Sequence, residues 1–150
     1  MAYSVFDTAK YVVSEYEKKE SGISNLKLQK VLFYVQMNSL NKTGCVFFDA
    51  AFEAWRHGPV INELYSALKK YISTPISLDD NIFKQAIDID PCDTYLINEI
   101  IDITLDIDPW KLVDYTHETK AWKDSYLPRC NNTIPISDIA SERVNIGQTN

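Results

Sequence analysis

The chain has 150 residues, of which 45% are hydrophobic, 12% aromatic and 24% charged. That is enough apolar material for one core without metal or disulfide staples, and it excludes a disordered or collagenous protein. Fifteen Lys+Arg against twenty-one Asp+Glu leave a net charge of −6, which disfavours a general phosphate-binding surface for DNA or RNA.

Ser4 caps the first expected helix, and Asp7 three residues on completes a box-like start. Val5, Ala9, Val12 and Tyr16 recur at helical spacing until Lys18-Lys19-Glu20 and Gly22. A second helix follows Ser24, with Leu28, Val31, Leu32, Val35 and Ser39 on its inner face and Gln29, Lys30 and Gln36 off it; Asn41 and Gly44 stop it. The short aromatic runs at 45–55 read as one or two strands or an ordered loop. Gly58-Pro59 breaks the chain, and Pro59 is expected in the first turn of a third helix that runs to Thr74-Pro75. Ile82, Phe83, Ala86 and Ile87 suggest a short fourth helix. The string Asp-Ile-Asp-Pro occurs twice, ending at Pro91 and Pro109, and reads as a repeated helix-start device. Between the two copies, Leu96, Ile97, Ile100, Ile101, Thr104 and Ile107 face inward, while Glu99, Asp102 and Asp106 form one outer stripe. Further helices are expected from Trp110 to His117, around Trp122, and from Pro135; residues 141–150 are polar and expected to fray. The architecture is mainly α: a compact multi-helix domain over 1–150, with a small β element between the second and third helices.

The negative charge is uneven. Residues 1–75 carry a net +2 and residues 76–150 a net −8, with nine acids and only Lys84 as a base between Asp79 and Asp108. Apolar residues run through that stretch, so it reads as folded structure with an acidic face. Asp7 and Lys10 precede any long apolar run, and no stretch approaches 18 uninterrupted apolar residues, so neither a signal peptide nor a membrane helix is expected. Cys45, Cys92 and Cys130 are odd in number and widely spaced; they read as small buried hydrophobes in a reducing cytoplasm.

Chemistry is sparse. There is no Cys-x-x-Cys, and the zincin-like start at His117-Glu118 fails because its second His would fall at Ala121, so no metal site is expected. The four glycines form no phosphate-binding loop, and no cofactor is expected. Two clusters stand out. In Trp55-Arg56-His57-Gly58-Pro59, Trp55 is expected to fill the core while Arg56 and His57 stand exposed beside it as a recognition surface. In Thr116-His117 with Trp122, a buried His117 bonded to a neighbouring turn is favoured over a catalytic base.

These clusters, with Asn25-Leu26-Lys27-Leu28-Gln29-Lys30-Val31-Leu32-Phe33-Tyr34 before them and Tyr65 and Leu112 between them, resemble the Panacea family, also described as SocA-like antitoxins or GepA-like phage-associated proteins. The resemblance covers about residues 5–125. It departs from the family pattern at Ala121, where Pro usually precedes Trp, and leaves the acidic stretch 79–108 unmatched. It implies an antitoxin of a bacterial or prophage toxin–antitoxin system that neutralises a cognate protein toxin by direct contact, without enzymatic activity. It also implies an alternative, since one branch acts as an adaptor delivering its toxin to the unfoldase of a cytoplasmic protease.

The contact candidates are Trp55, Arg56, His57, Gly58, Pro59, Tyr65, Thr116, His117 and Trp122, together with Glu99, Asp102 and Asp106 on the acidic face. A small enzyme of unrecognised type would need His57 and His117 in one pocket. Leftover apolar helix surface is compatible with a homodimer.

Overall fold

A computed structural model describes residues 2–147. In chain order the elements are α1 (Val5–Lys18), α2 (Asn25–Thr43), the strands β1 (Glu53–Trp55) and β2 (Gly58–Val60), α3 (Asn62–Leu68), α4 (Tyr95–Thr104), α5 (Pro109–His117), α6 (Lys120–Ser125) and α7 (Ile136–Ala140). The domain is mainly α, and its small antiparallel sheet falls between the second and third helices, as the sequence predicts.

α2 is the axis of the molecule. Residues Leu28 to Leu40 are buried on every side, because α1, α3, α4, α5, α7 and β2 all pack around this one helix. Gln29, Lys30 and Gln36, expected on an outer face, are therefore fully buried. The helix is wrapped rather than laid on a core, so its polar positions face protein. A buried polar group is costly unless bonded, and each of these bonds the backbone of the 47–61 segment. Gln36 accepts from the N–H of Phe47 and donates to the carbonyl of Phe48. Asn38 donates to Leu96 O, and Ser39 to Cys45 O. Among the described residues no buried side-chain nitrogen or oxygen lacks a partner.

The helix ends follow local rules where a core face begins at once. Ser4 and Ser24 accept from N–H groups of the first turns they precede, and Gly44 closes α2 at φ 76°. Asp108 caps the N–H of Trp110, and Pro109 opens α5. The identical string at Asp90-Pro91 makes only a turn, in which Asp90 caps Cys92; α4 starts later, at Tyr95. The buried face after Asp108 begins four residues on, at Leu112, whereas after Asp90 it begins six on, at Leu96. A nucleated turn propagates only where packing rewards it.

Several expectations change. Asp7 does not close a capping box on Ser4; its carboxylate accepts from the N–H of Ile87, 80 residues away. Residues 81–83 form a single 3-10 turn anchored by buried Phe83, and Ile87 is exposed. Pro59 lies in β2, and α3 begins three residues later. α4 ends at Thr104, so Asp106 lies beyond the helix that was to carry it. All three cysteines are exposed rather than buried. Of the segment expected to fray, residues 148–150 lie outside the described residues; before them Ile146 is buried and Val144 packs on the core.

Candidate functional site

β1 and β2 form a two-residue hairpin, with Trp55 paired to Gly58 and Arg56 and His57 at its tip. The next pair is Ala54 with Pro59. Ladder bonds alternate in an antiparallel ribbon, and Ala54 turns its N–H outward to Asn132 O at 2.8 Å, so Pro59 opposite it costs no ladder bond. The same outward edge accepts residues 132–134, through Ile134 N to Phe52 O, which covers the free side of β1.

A two-stranded hairpin with three residues in each strand is not stable alone. Side chains from the surrounding helices hold its backbone. The Lys30 ammonium donates to Pro59 O at 3.0 Å, and Gln29 accepts from the N–H of Ile61 at 2.9 Å. Gln29 is itself held by Asn25, which also donates to Tyr65 O in α3. From the other side, the Trp122 indole N–H donates to Trp55 O at 2.8 Å, and His117 Nε2 bonds Arg56 O at 2.9 Å. Gly58 fits between the two sets at φ 104°. A Cβ there would stand 2.7 Å from Thr116 Oγ1 and 2.8 Å from Lys30 Cε.

The two sequence clusters thus meet in space, 60 residues apart in the chain, with the first α2 string beneath them. Thr116, His117 and Trp122 form the seat of the hairpin. His117 is half-buried and bonded to the neighbouring turn, and it stacks on Trp122, which in turn stacks on Tyr126. Trp55 does not fill the core. It is half-buried, its indole donates to Glu53, and its ring meets Tyr65 edge-on at 4.9 Å.

The electrostatics follow from burial. Lys30 is completely enclosed with one carbonyl as partner, and desolvation pulls its pKa from 10.5 down to about 7. His57 is lowered from its ordinary value, first by desolvation and then by the nearby Arg56, Lys30 and His117 charges.

Outside the hairpin lies a groove of about 580 Å³, walled by Trp55, Tyr65, Ile72 and Trp110. Trp110 is 55% exposed, and the ring of His57 meets it edge-on at 5.0 Å. Lys30, Arg56, His57 and Lys69 also line the groove, and among the described residues no Asp or Glu does. His117 is not among the lining residues, so the two histidines do not open together on this groove. A second hollow of about 480 Å³ shares Trp55 and Arg56 and adds Arg129, again without an acid.

The acidic candidates lie elsewhere. Glu99 is engaged by Lys42 at 2.5 Å and by Asn38, which together hold its carboxyl below the usual range despite some desolvation. Asp102 and Asp106 are exposed. Among the described residues no group of three or more His, Cys, Asp or Glu could hold a metal ion, and no helix is long and apolar enough to cross a membrane.

Sequence reasoning missed Lys30, Gln29 and Asn25 as hairpin supports, and Lys69, Ile72 and Trp110 as groove residues. α2 did carry a signal for the first three. Its polar positions are Gln, Asn, Ser, Thr and Lys with no acid in 19 residues, unlike a solvated face laced with acid–base pairs.

The family model described as "Antitoxin SocA-like, Panacea domain" matches residues 28–123, more than half of the chain. That span takes in the hairpin, its seat and most of α2. No curated protein and no solved structure matches the chain.

Proposed function

Because the chain belongs to the SocA-like antitoxin, Panacea-domain family, we propose that it is a non-enzymatic antitoxin that neutralises a cognate protein toxin by direct contact. The observation that carries this reading is the family match, which spans the pegged hairpin and its seat. The contact runs through the outer face of that hairpin. Arg56 and His57 are presented at its tip, with Trp55, Tyr65 and Trp110 beside them. Arg and aromatic side chains are the usual anchors of protein interfaces. The inner residues Gly58, Pro59, Thr116, His117 and Trp122 hold the tip in place rather than touch the toxin.

The setting is the cytoplasm of a bacterium, within a chromosomal or prophage toxin–antitoxin pair. Three exposed free cysteines suit a reducing compartment. The test is co-expression with the gene encoded beside this one. The neighbour alone should arrest growth, and this chain should restore it. A harmless neighbour would remove the reading. Restored growth with a sharp fall in toxin abundance would transfer it to the proteolytic-adaptor class.

A further inference from the structure

The groove beside the hairpin is opposite in charge to the chain as a whole. The chain carries twenty-one acids and a net charge of −6, yet the groove presents Arg56, His57 and Lys69, with the enclosed Lys30 behind them, and among the described residues no Asp or Glu lines it. The second hollow continues past the shared wall of Trp55 and Arg56 and adds Arg129, also without an acid. Two carboxylates stand next to groove residues and both are engaged: Asp108 accepts from the N–H of Trp110, and Glu53 from the indole N–H of Trp55. Neither Arg56 nor Lys69 makes an ion pair among the described residues.

Between these cations the walls are aromatic and apolar. Ile72 stands at the rim 80% exposed, with φ 57° and ψ −110°. A β-branched residue in that backbone region is strained by about 1–3 kcal/mol, and here the strain displays an apolar side chain to solvent.

We infer that the groove receives an extended acidic segment of the partner protein, with an apolar side chain seated between Trp55, Tyr65 and Trp110 and flanking carboxylates on Arg56 and Lys69. This rests on the antitoxin reading for the partner being a protein. Charge complementarity selects the segment's sign, and the aromatic walls select its apolar anchor. Two hollows sharing one wall suit a chain that crosses the hairpin tip better than a compact small molecule. A single-stranded nucleic acid would also use aromatic and basic groups. It needs a continuous track of cations along its phosphates, whereas the exposed cations here are Arg56, Lys69 and Arg129, separated by apolar and aromatic walls.

The experiment is titration of the full chain, labelled with nitrogen-15, with three capped heptapeptides, EDLWLDE, KKLWLKK and EDGSGDE, and with an oligothymidylate. The indole N–H signals of Trp55 and Trp110 are the readout. EDLWLDE should shift both signals, and the other three probes should not. The exposed double change Arg56→Glu with Lys69→Glu should weaken EDLWLDE at least about tenfold. Lys84→Glu, at a residue that lines neither hollow, alters overall charge in the same direction and should leave binding intact.

Equal shifts with KKLWLKK, shifts with the oligonucleotide, or none with EDLWLDE at millimolar concentration would each overturn the inference. The growth assay is read separately. Restored growth that survives the Arg56/Lys69 reversal rejects this groove and leaves the antitoxin reading standing.

Discussion

The Nζ of Lys30, in the second turn of α2, donates to the carbonyl oxygen of Pro59 at 3.0 Å and, among the described residues, has no other hydrogen-bond partner in a fully enclosed site. An ammonium from the central helix thus reaches under the hairpin and fixes the strand behind its tip. The cost of that arrangement is desolvation, which lowers the folded-state pKa to about 7.

This cost has a pH signature. The unfolded chain keeps the ordinary value of 10.5 and so binds more protons than the native state from about pH 7 upward. Native stability therefore rises with pH through this interval and is flat below it. Relative to Lys30→Met, wild type should gain about 1 kcal/mol per pH unit between about pH 7 and pH 9.5, below the range where tyrosines ionise. Urea denaturation of both proteins across that range checks it. Parallel pH profiles would mean that Lys30 titrates as an ordinary lysine.

Gly58 should be far less replaceable than Gly44. At Gly58 a Cβ meets Thr116 Oγ1 at 2.7 Å and Lys30 Cε at 2.8 Å, and φ is 104°, whereas at Gly44 nothing lies within 4 Å. Gly44→Ala should cost about 1 kcal/mol for its left-handed backbone alone. Gly58→Ala adds overpacking and should cost about 3 kcal/mol or more. Chemical denaturation followed by circular dichroism gives both numbers, and equal losses would contradict the sandwiched placement of Gly58.

Trp122→Phe keeps the stack on His117 and Tyr126 but removes the donor to Trp55 O. A loss of about 1–2 kcal/mol is expected. His117→Ala removes the bond to Arg56 O on the adjacent residue, so the double change should be non-additive by more than about 0.5 kcal/mol. Strict additivity in a double-mutant cycle would show that the two bonds do not act on one rigid unit.

Much of this fold can be read from periodicity and caps. Ser4, Ser24 and Asp108 start helices because an apolar face begins within a turn of each. The role of Gln29, Lys30 and Gln36 cannot be read in that way, because whether a polar face meets water or protein depends on how many elements wrap the helix. The string Trp55–Pro59 announces a tight corner, and Pro after Gly suits either a helix start or a strand opposite an outward-turned N–H; only the partner Asn132 decides between them. The groove was half legible. Arg56 and His57 stand exposed as their cluster suggests, but Lys69, Ile72 and Trp110 reach it from α5 and the turn after α3, which no local pattern ties to the hairpin.

Ile72→Gly should move stability and binding in opposite directions. Its φ and ψ mirror the ordinary extended region, which glycine adopts freely. Relief of the strain should raise stability by about 1 kcal/mol, while loss of the apolar rim weakens EDLWLDE in the peptide titration. Thermal or urea denaturation alongside that titration checks both signs. A destabilised variant would show that Ile72 is held there by packing rather than displayed.

The account's central claim is neutralisation by contact through the hairpin face, and it is tested most directly by calorimetry of the purified full chain with the purified toxin encoded beside it. The account predicts a stoichiometric complex that is weakened at least about tenfold by Arg56→Glu with Lys69→Glu and unchanged by Asp102→Lys with Asp106→Lys on the acidic side. No measurable complex with a toxin that this chain nonetheless neutralises in cells would contradict it, as would a complex lost only when Asp102 and Asp106 are reversed.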